Sequence, residues 1–194
     1  MKTAFRKLIV ALVFVASFAA NASDGLDLKV NEKQNLIVEV KGIEQGAILS
    51  ILGENEEIVF KDRLSNDDSY SKIFDFNSLE DGRYTLVLDK EFSISTSIIS
   101  KNGEILSIDK NAYRFDFKPL YRISGDIVSI CLANPEENKV EIEIFDKFGV
   151  PVGKLKTKDL VVKRKLDFSN VPAGSYIVKI KTKTNTFSKS VNVG

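Results

Sequence analysis

The sequence predicts an all-β protein: two tandem immunoglobulin-like sandwiches of seven strands each, following a cleaved signal peptide. Three observations predict it. After Ser23 the apolar residues recur with a period of two, and no amphipathic helical stretch of useful length interrupts them. A ten-residue turn is written twice, 92 residues apart: Asp75-Phe76-Asn77-Ser78-Leu79-Glu80-Asp81-Gly82-Arg83-Tyr84 and Asp167-Phe168-Ser169-Asn170-Val171-Pro172-Ala173-Gly174-Ser175-Tyr176. So long a period marks tandem domains rather than a solenoid. The segments upstream of the two turns also correspond, since Leu49–Gly53 with Glu57–Lys61 and Ile142–Asp146 with Val150–Lys154 each read as a hairpin.

The elements follow in order. Lys2, Arg6 and Lys7 precede an uncharged run from Leu8 to Ala20, and Ala20-Asn21-Ala22 has the small-x-small form of a signal-peptidase site, so residues 1–22 read as a secretory signal. The run is too short for the ~20 residues that cross a bilayer. No Cys follows it to take a lipid, and no stable membrane insertion is expected after cleavage.

The first sandwich, residues 23–110, offers strands at Asp27–Val30, Leu36–Lys41, Ala47–Leu52, Glu57–Lys61, Tyr70–Phe76, Arg83–Asp89 and Glu91–Ile99. A turn-rich segment, Ser100–Ala112, reads as a linker, or else holds a short strand of its own at Ile105–Ile108, and leads to the second sandwich, residues 111–194, with strands at Tyr113–Phe117, Asp126–Leu132, Lys139–Phe145, Val150–Lys156, Val161–Phe168, Ser175–Lys181 and Asn185–Val193. In each repeated turn a glycine (Gly82, Gly174) supplies a backbone conformation that side chains resist, Leu79 or Val171 plugs the corner, and a tyrosine (Tyr84, Tyr176) returns its hydroxyl to the upstream backbone. These four residues read as structural corners.

Composition narrows the chemistry. Histidine and tryptophan are absent, which removes the usual base near neutral pH and the commonest zinc ligand. There is no Gly-rich phosphate loop, no GxSxG, no CxxC and no HExxH, so no catalytic residue, cofactor or metal is expected, and the protein does not read as an enzyme. Glu54, Glu56 and Glu57 read as a solvated hairpin tip. Asp62, Asn66, Asp67 and Asp68 have oxygen ligands suited to calcium but no recognised loop spacing. The one cysteine, Cys131, cannot close an internal disulfide and reads as core filler in a buried strand.

Charge is divided unevenly. Residues 23–110 hold 10 basic and 18 acidic side chains, net −8, whereas residues 111–194 hold 15 and 9, net +6. Lys154, Lys156 and Lys158, and likewise Lys179, Lys181 and Lys183, sit at period two and are expected to project from one strand face each; Lys163, Arg164 and Lys165 form a third cluster. Lysines on outer faces discourage edge-to-edge strand pairing. Their alternative role is an anion or partner surface, for an acidic glycan or for the acidic domain of a neighbouring copy. Nucleic acid is not an expected partner, because no aromatic residues interleave with these lysines.

The stretch Leu166–Lys181, closing with Phe187-Ser188-Lys189-Ser190-Val191-Asn192-Val193, resembles the C-terminal sorting domain of cargo exported by type IX secretion. Asn134-Pro135, before Val140–Phe145 and the Phe148-Gly149 turn, is similar to that domain's opening. The resemblance covers residues 131–194. It implies an immunoglobulin-like sandwich acting as an export and surface-attachment signal, in the periplasm, outer-membrane surface or medium of a gram-negative bacterium. The expected function is therefore a non-catalytic exported envelope or surface protein serving adhesion, interaction or secretion sorting. The alternative is a small-ligand or carbohydrate-binding module using Tyr70, Tyr113 and Tyr121 as stacking platforms.

Overall fold

The structure, a computed structural model, describes residues 25–65 and 68–194, and among these every regular element is a β-strand. The expected signal peptide lies outside the described residues. Eight strands come first: β1 Leu26–Val30, β2 Leu36–Lys41, β3 Ile48–Leu52, β4 Ile58–Arg63, β5 Ser69–Phe74, β6 Gly82–Asp89, β7 Ser93–Asn102 and β8 Ile105–Phe117. Seven follow: β9 Leu120–Ser124, β10 Ile127–Ala133, β11 Val140–Phe145, β12 Pro151–Thr157, β13 Val161–Asp167, β14 Gly174–Lys181 and β15 Thr186–Val193. All pairings are antiparallel.

The two sets share one topology. The first forms sheets ordered β1-β2-β5 and β4-β3-β6-β7-β8; the second forms β9-β10-β13 and β12-β11-β14-β15. Counted from the first strand of each set, both read 1-2-5 over 4-3-6-7, and β8 is an addition to the first. Each pair of sheets closes on its own apolar interior, as alternating strands with one wet face require. Leu36, Val38 and Val40 of β2 meet Leu49 and Ile51 of β3 and Leu86 and Leu88 of β6 in the first core. Val128, Ile130 and Leu132 of β10 meet Ile142 of β11 and Val178 and Ile180 of β14 in the second. Among the described residues no side chain belongs to both cores.

The repeated turn folds the same way twice. Asn77 N–H donates to the Asp75 carboxylate at 2.8 Å and Ser169 N–H to that of Asp167 at 2.9 Å. Leu79 N–H then bonds the Phe76 carbonyl at 3.0 Å, and Val171 N–H that of Phe168 at 3.2 Å. Gly82 and Gly174 follow at φ +157° and +152°, where side chains rarely go. The Tyr84 hydroxyl donates to the Glu80 carbonyl at 2.7 Å, and the Tyr176 hydroxyl to the Pro172 carbonyl at 2.8 Å, so both are tyrosine corners. Each tyrosine also packs on the phenylalanine eight residues before it, with ring centroids 5.3 Å apart.

Four expectations are corrected. The boundary expected at residues 110 and 111 falls inside β8, which pairs with β7 from Ile105 to Phe117; Tyr113–Phe117 therefore extends the first sheet instead of opening the second sandwich. Lys118 N–H continues that pairing to the Phe92 carbonyl, and the Lys118 ammonium bonds Asp89 and the Lys90 carbonyl, so the chain leaves the first unit only at Pro119. Next, β9 opens the second set, a strand the sequence pattern did not single out: it has five residues, and two of its three apolar ones, Leu120 and Ile123, stay exposed. Cys131 is not core filler. Val128, Ile130 and Leu132 take the inner face, which turns Cys131 to the outer one. Finally, Val171 stays 37% exposed and plugs nothing, whereas Leu79 packs on its core.

Candidate binding surface of the second sandwich

The lysines singled out from sequence separate into two groups. On β11 the carboxylates of Glu141 and Glu143 stand on the outer face, flanked by β12 and β14. Lys154 reaches both, at 2.7 and 2.9 Å; Lys156 lies 3.8 Å from Glu141 and Lys181 2.6 Å from Glu143. Hydrogen bonding to Lys181 and then to Lys154 holds the Glu143 carboxyl down to about 2, and Lys154 and Lys139 lower Glu141 in the same way. The Lys179 ammonium sits 5.1 Å from the centre of the Phe145 ring. This face is a charge ladder neutralised from within rather than a free cationic surface.

Lys158 and Lys183 do not share those faces. β12 ends at Thr157 and β14 at Lys181, so both lysines lie in turns beyond the strand ends. Lys183 borders a cleft of about 500 Å³ at the junction, whose walls include Tyr113, Phe115, Phe117 and Asn134. Arg164 points to the side of Val162 and Leu166 and pairs with Asp159 at 2.7 Å.

What remains is Lys163 and Lys165 on β13, together with Arg122 on β9, a residue the sequence reading missed. Cross-strand register brings them together: Ser129 of β10 faces Lys165 on one side and Arg122 on the other, and Cys131 faces Lys163 and Leu120. Short side chains on the central strand between long ones on its neighbours leave a trough of about 520 Å³ on the outer face of this sheet. Among the described residues none of the three cations has a carboxylate within ion-pair distance. Arg122 and Leu120 were hidden from pattern reading because β9 itself was.

The other candidates resolve as follows. Tyr70 packs against the first core, where burial and then the Asp62 carboxylate push its hydroxyl up to about 12; burial alone does the same for Tyr121 in the second core. Neither offers a stacking face to a sugar, and only Tyr113, 40% exposed, remains of the three. Asn66 and Asp67 lie outside the described residues, and among those described no group of three or more His, Cys, Asp or Glu could hold a metal ion. Nor does any described helix have the length and apolarity to cross a membrane. Asn134, from the pair resembling a domain opening, is buried: its amide donates to the Asn138 and Asp159 carbonyls at 2.9 and 3.0 Å and accepts from Asn138 N–H at 3.1 Å.

One comparison falls on this unit. Residues 124–193 match the family model of the secretion system C-terminal sorting domain. The sorting-domain match spans β10 to β15, six of the seven strands around the second core, and it marks the chain as exported. No curated protein matches the chain. Solved structures with some likeness include a biofilm-associated protein BSP domain (11% identity, TM-score 0.30, 87% of this chain), a human OSCAR ligand-binding domain (10%, 0.25, 87%) and a Group B Streptococcus pullulanase (15%, 0.24, 84%). The chain spans 29%, 96% and 23% of those chains respectively.

Proposed function

We propose that this is a non-catalytic exported protein of the envelope or cell surface, in which the second sandwich is a type IX secretion-sorting module and the exposed sheet faces serve interaction or adhesion. The observation that carries the reading is the coincidence of the sorting-domain match with one self-contained core. A segment that closes its own interior can be read by export machinery whatever precedes it. Absence of histidine from the whole chain supports a role without acid–base chemistry near neutral pH.

The test is a fusion of residues 119–194 to an inert reporter that already carries a signal peptide, expressed in a bacterium with type IX export. The reporter is expected at the outer surface or in the medium, while a matched fusion of residues 23–118 stays in the periplasm. Periplasmic retention of the first fusion overturns the sorting assignment.

A further inference from the structure

We propose that the trough on β9, β10 and β13 receives the acidic β3–β4 hairpin of a second copy of this chain, giving a head-to-tail assembly. The trough offers Arg122, Lys163 and Lys165 around a small-residue floor of Ser129 and Cys131, with Leu120, 49% exposed, at its end. Its occupant must therefore combine negative charge with apolar surface. The β3–β4 hairpin presents both. Its tip carries Glu54 and Glu56, which have no ion-pair partner among the described residues, and β4, an edge strand, then exposes Ile58 at 62% and Val59 at 37%.

Comparison of the two hairpins sharpens the point. Gly53 N–H bonds the Glu57 carbonyl and Glu56 N–H that of Gly53, as Asp146 N–H bonds Val150 and Gly149 N–H bonds Asp146 in the second unit. The position that is Gly149 at φ +79° in one hairpin is Glu56 at φ +62° in the other. The tip of the first hairpin thus carries a carboxylate where the tip of the second carries no side chain. At larger scale the partner surfaces belong to units of opposite charge, net −7 over residues 23–118 and net +5 over residues 119–194, which steers one copy's first unit to another's second. One such contact leaves a free trough on one copy and a free hairpin on the other, so it propagates head to tail into rings or filaments unless two copies dock reciprocally as a two-fold pair, and the sedimentation coefficient tells these apart.

The experiment is sedimentation velocity of the exported chain over a concentration series, at low salt and near 1 M salt, where the screening length falls to about 3 Å. Concentration-dependent assembly at low salt that dissolves at high salt is expected. Lys163→Glu/Lys165→Glu and Glu54→Lys/Glu56→Lys should each be monomeric alone, with unchanged circular dichroism, and should assemble when mixed, since each variant's altered surface then meets its complement. A chain monomeric throughout, an assembly indifferent to both variants, or a mixture that stays monomeric overturns the proposal. So does a monomeric chain that binds anionic phospholipid vesicles through Lys163 and Lys165, which gives the trough to lipid headgroups instead.

Discussion

At the scale of single residues, the two tyrosine corners are the clearest case of side chains whose purpose is structural. Each hydroxyl satisfies a backbone carbonyl four residues upstream while the ring closes its core. Tyr84→Phe and Tyr176→Phe should each lower stability by about 0.5–1.5 kcal/mol, the net worth of one hydrogen bond, as measured by urea denaturation. Gly174 has no heavy atom within 4 Å of where a Cβ would stand, so space does not exclude a side chain there; its φ does. Gly174→Ala should therefore cost about 1–3 kcal/mol through backbone strain alone. Asn134→Ala removes two bonds that brace the β10–β11 connection at Asn138 and one that ties it to Asp159 in the turn before β13, and should cost about 1–3 kcal/mol per carbonyl or amide left dry. If Asn134→Ala melts with the parent, that clamp is not a structural one.

Among the elements, β11 with its flanking strands carries a pH dependence. Glu143 is held near 2 in the folded chain against an ordinary value of 4.5, so its contribution is complete above about 4.5 and disappears as pH falls toward about 2. Thermal melts should show stability falling across that window, and Glu143→Gln should flatten the fall. A slope identical in the variant would mean that the ladder contributes nothing. The glutamates and lysines were all visible in sequence, yet their mutual neutralisation was not, because it depends on β11 lying between β12 and β14 and not on spacing along the chain. In β7 the apolar residues mislead outright: Ser93, Ser95 and Ser97 face inward with Ile99, while Ile94 and Ile98 take the other face. There β8 covers the additional edge and the register decides the face.

For the whole molecule, separate cores joined at Lys118-Pro119 predict that residues 119–194 unfold as one cooperative unit when expressed alone. A gradual, non-cooperative transition would show that the second interior needs the first. Beginning the piece at residue 111 should lower its solubility, because Phe115 and Phe117 would then lack the β7 partners they pair with, Ser95 and Ser93. Export and assembly, as proposed above, are properties of this scale too: one unit supplies the sorting signal, and the opposite charges of the pair supply the contact.

Alternation, the doubled turn and the uneven charge determined by themselves that the chain is all-β, that thirteen of its strands fall where they do within a few residues, and that the corners are built from glycine and tyrosine. Those features are local, fixed by side-chain period and turn chemistry. The tertiary structure alone decided where one unit ends, which lysines are already paired, that Cys131 faces outward beside Lys163, and that Arg122 joins Lys163 and Lys165 around one trough. Each of these depends on which strand lies next to which, and neighbours in an antiparallel sheet are set by packing between residues far apart in the chain.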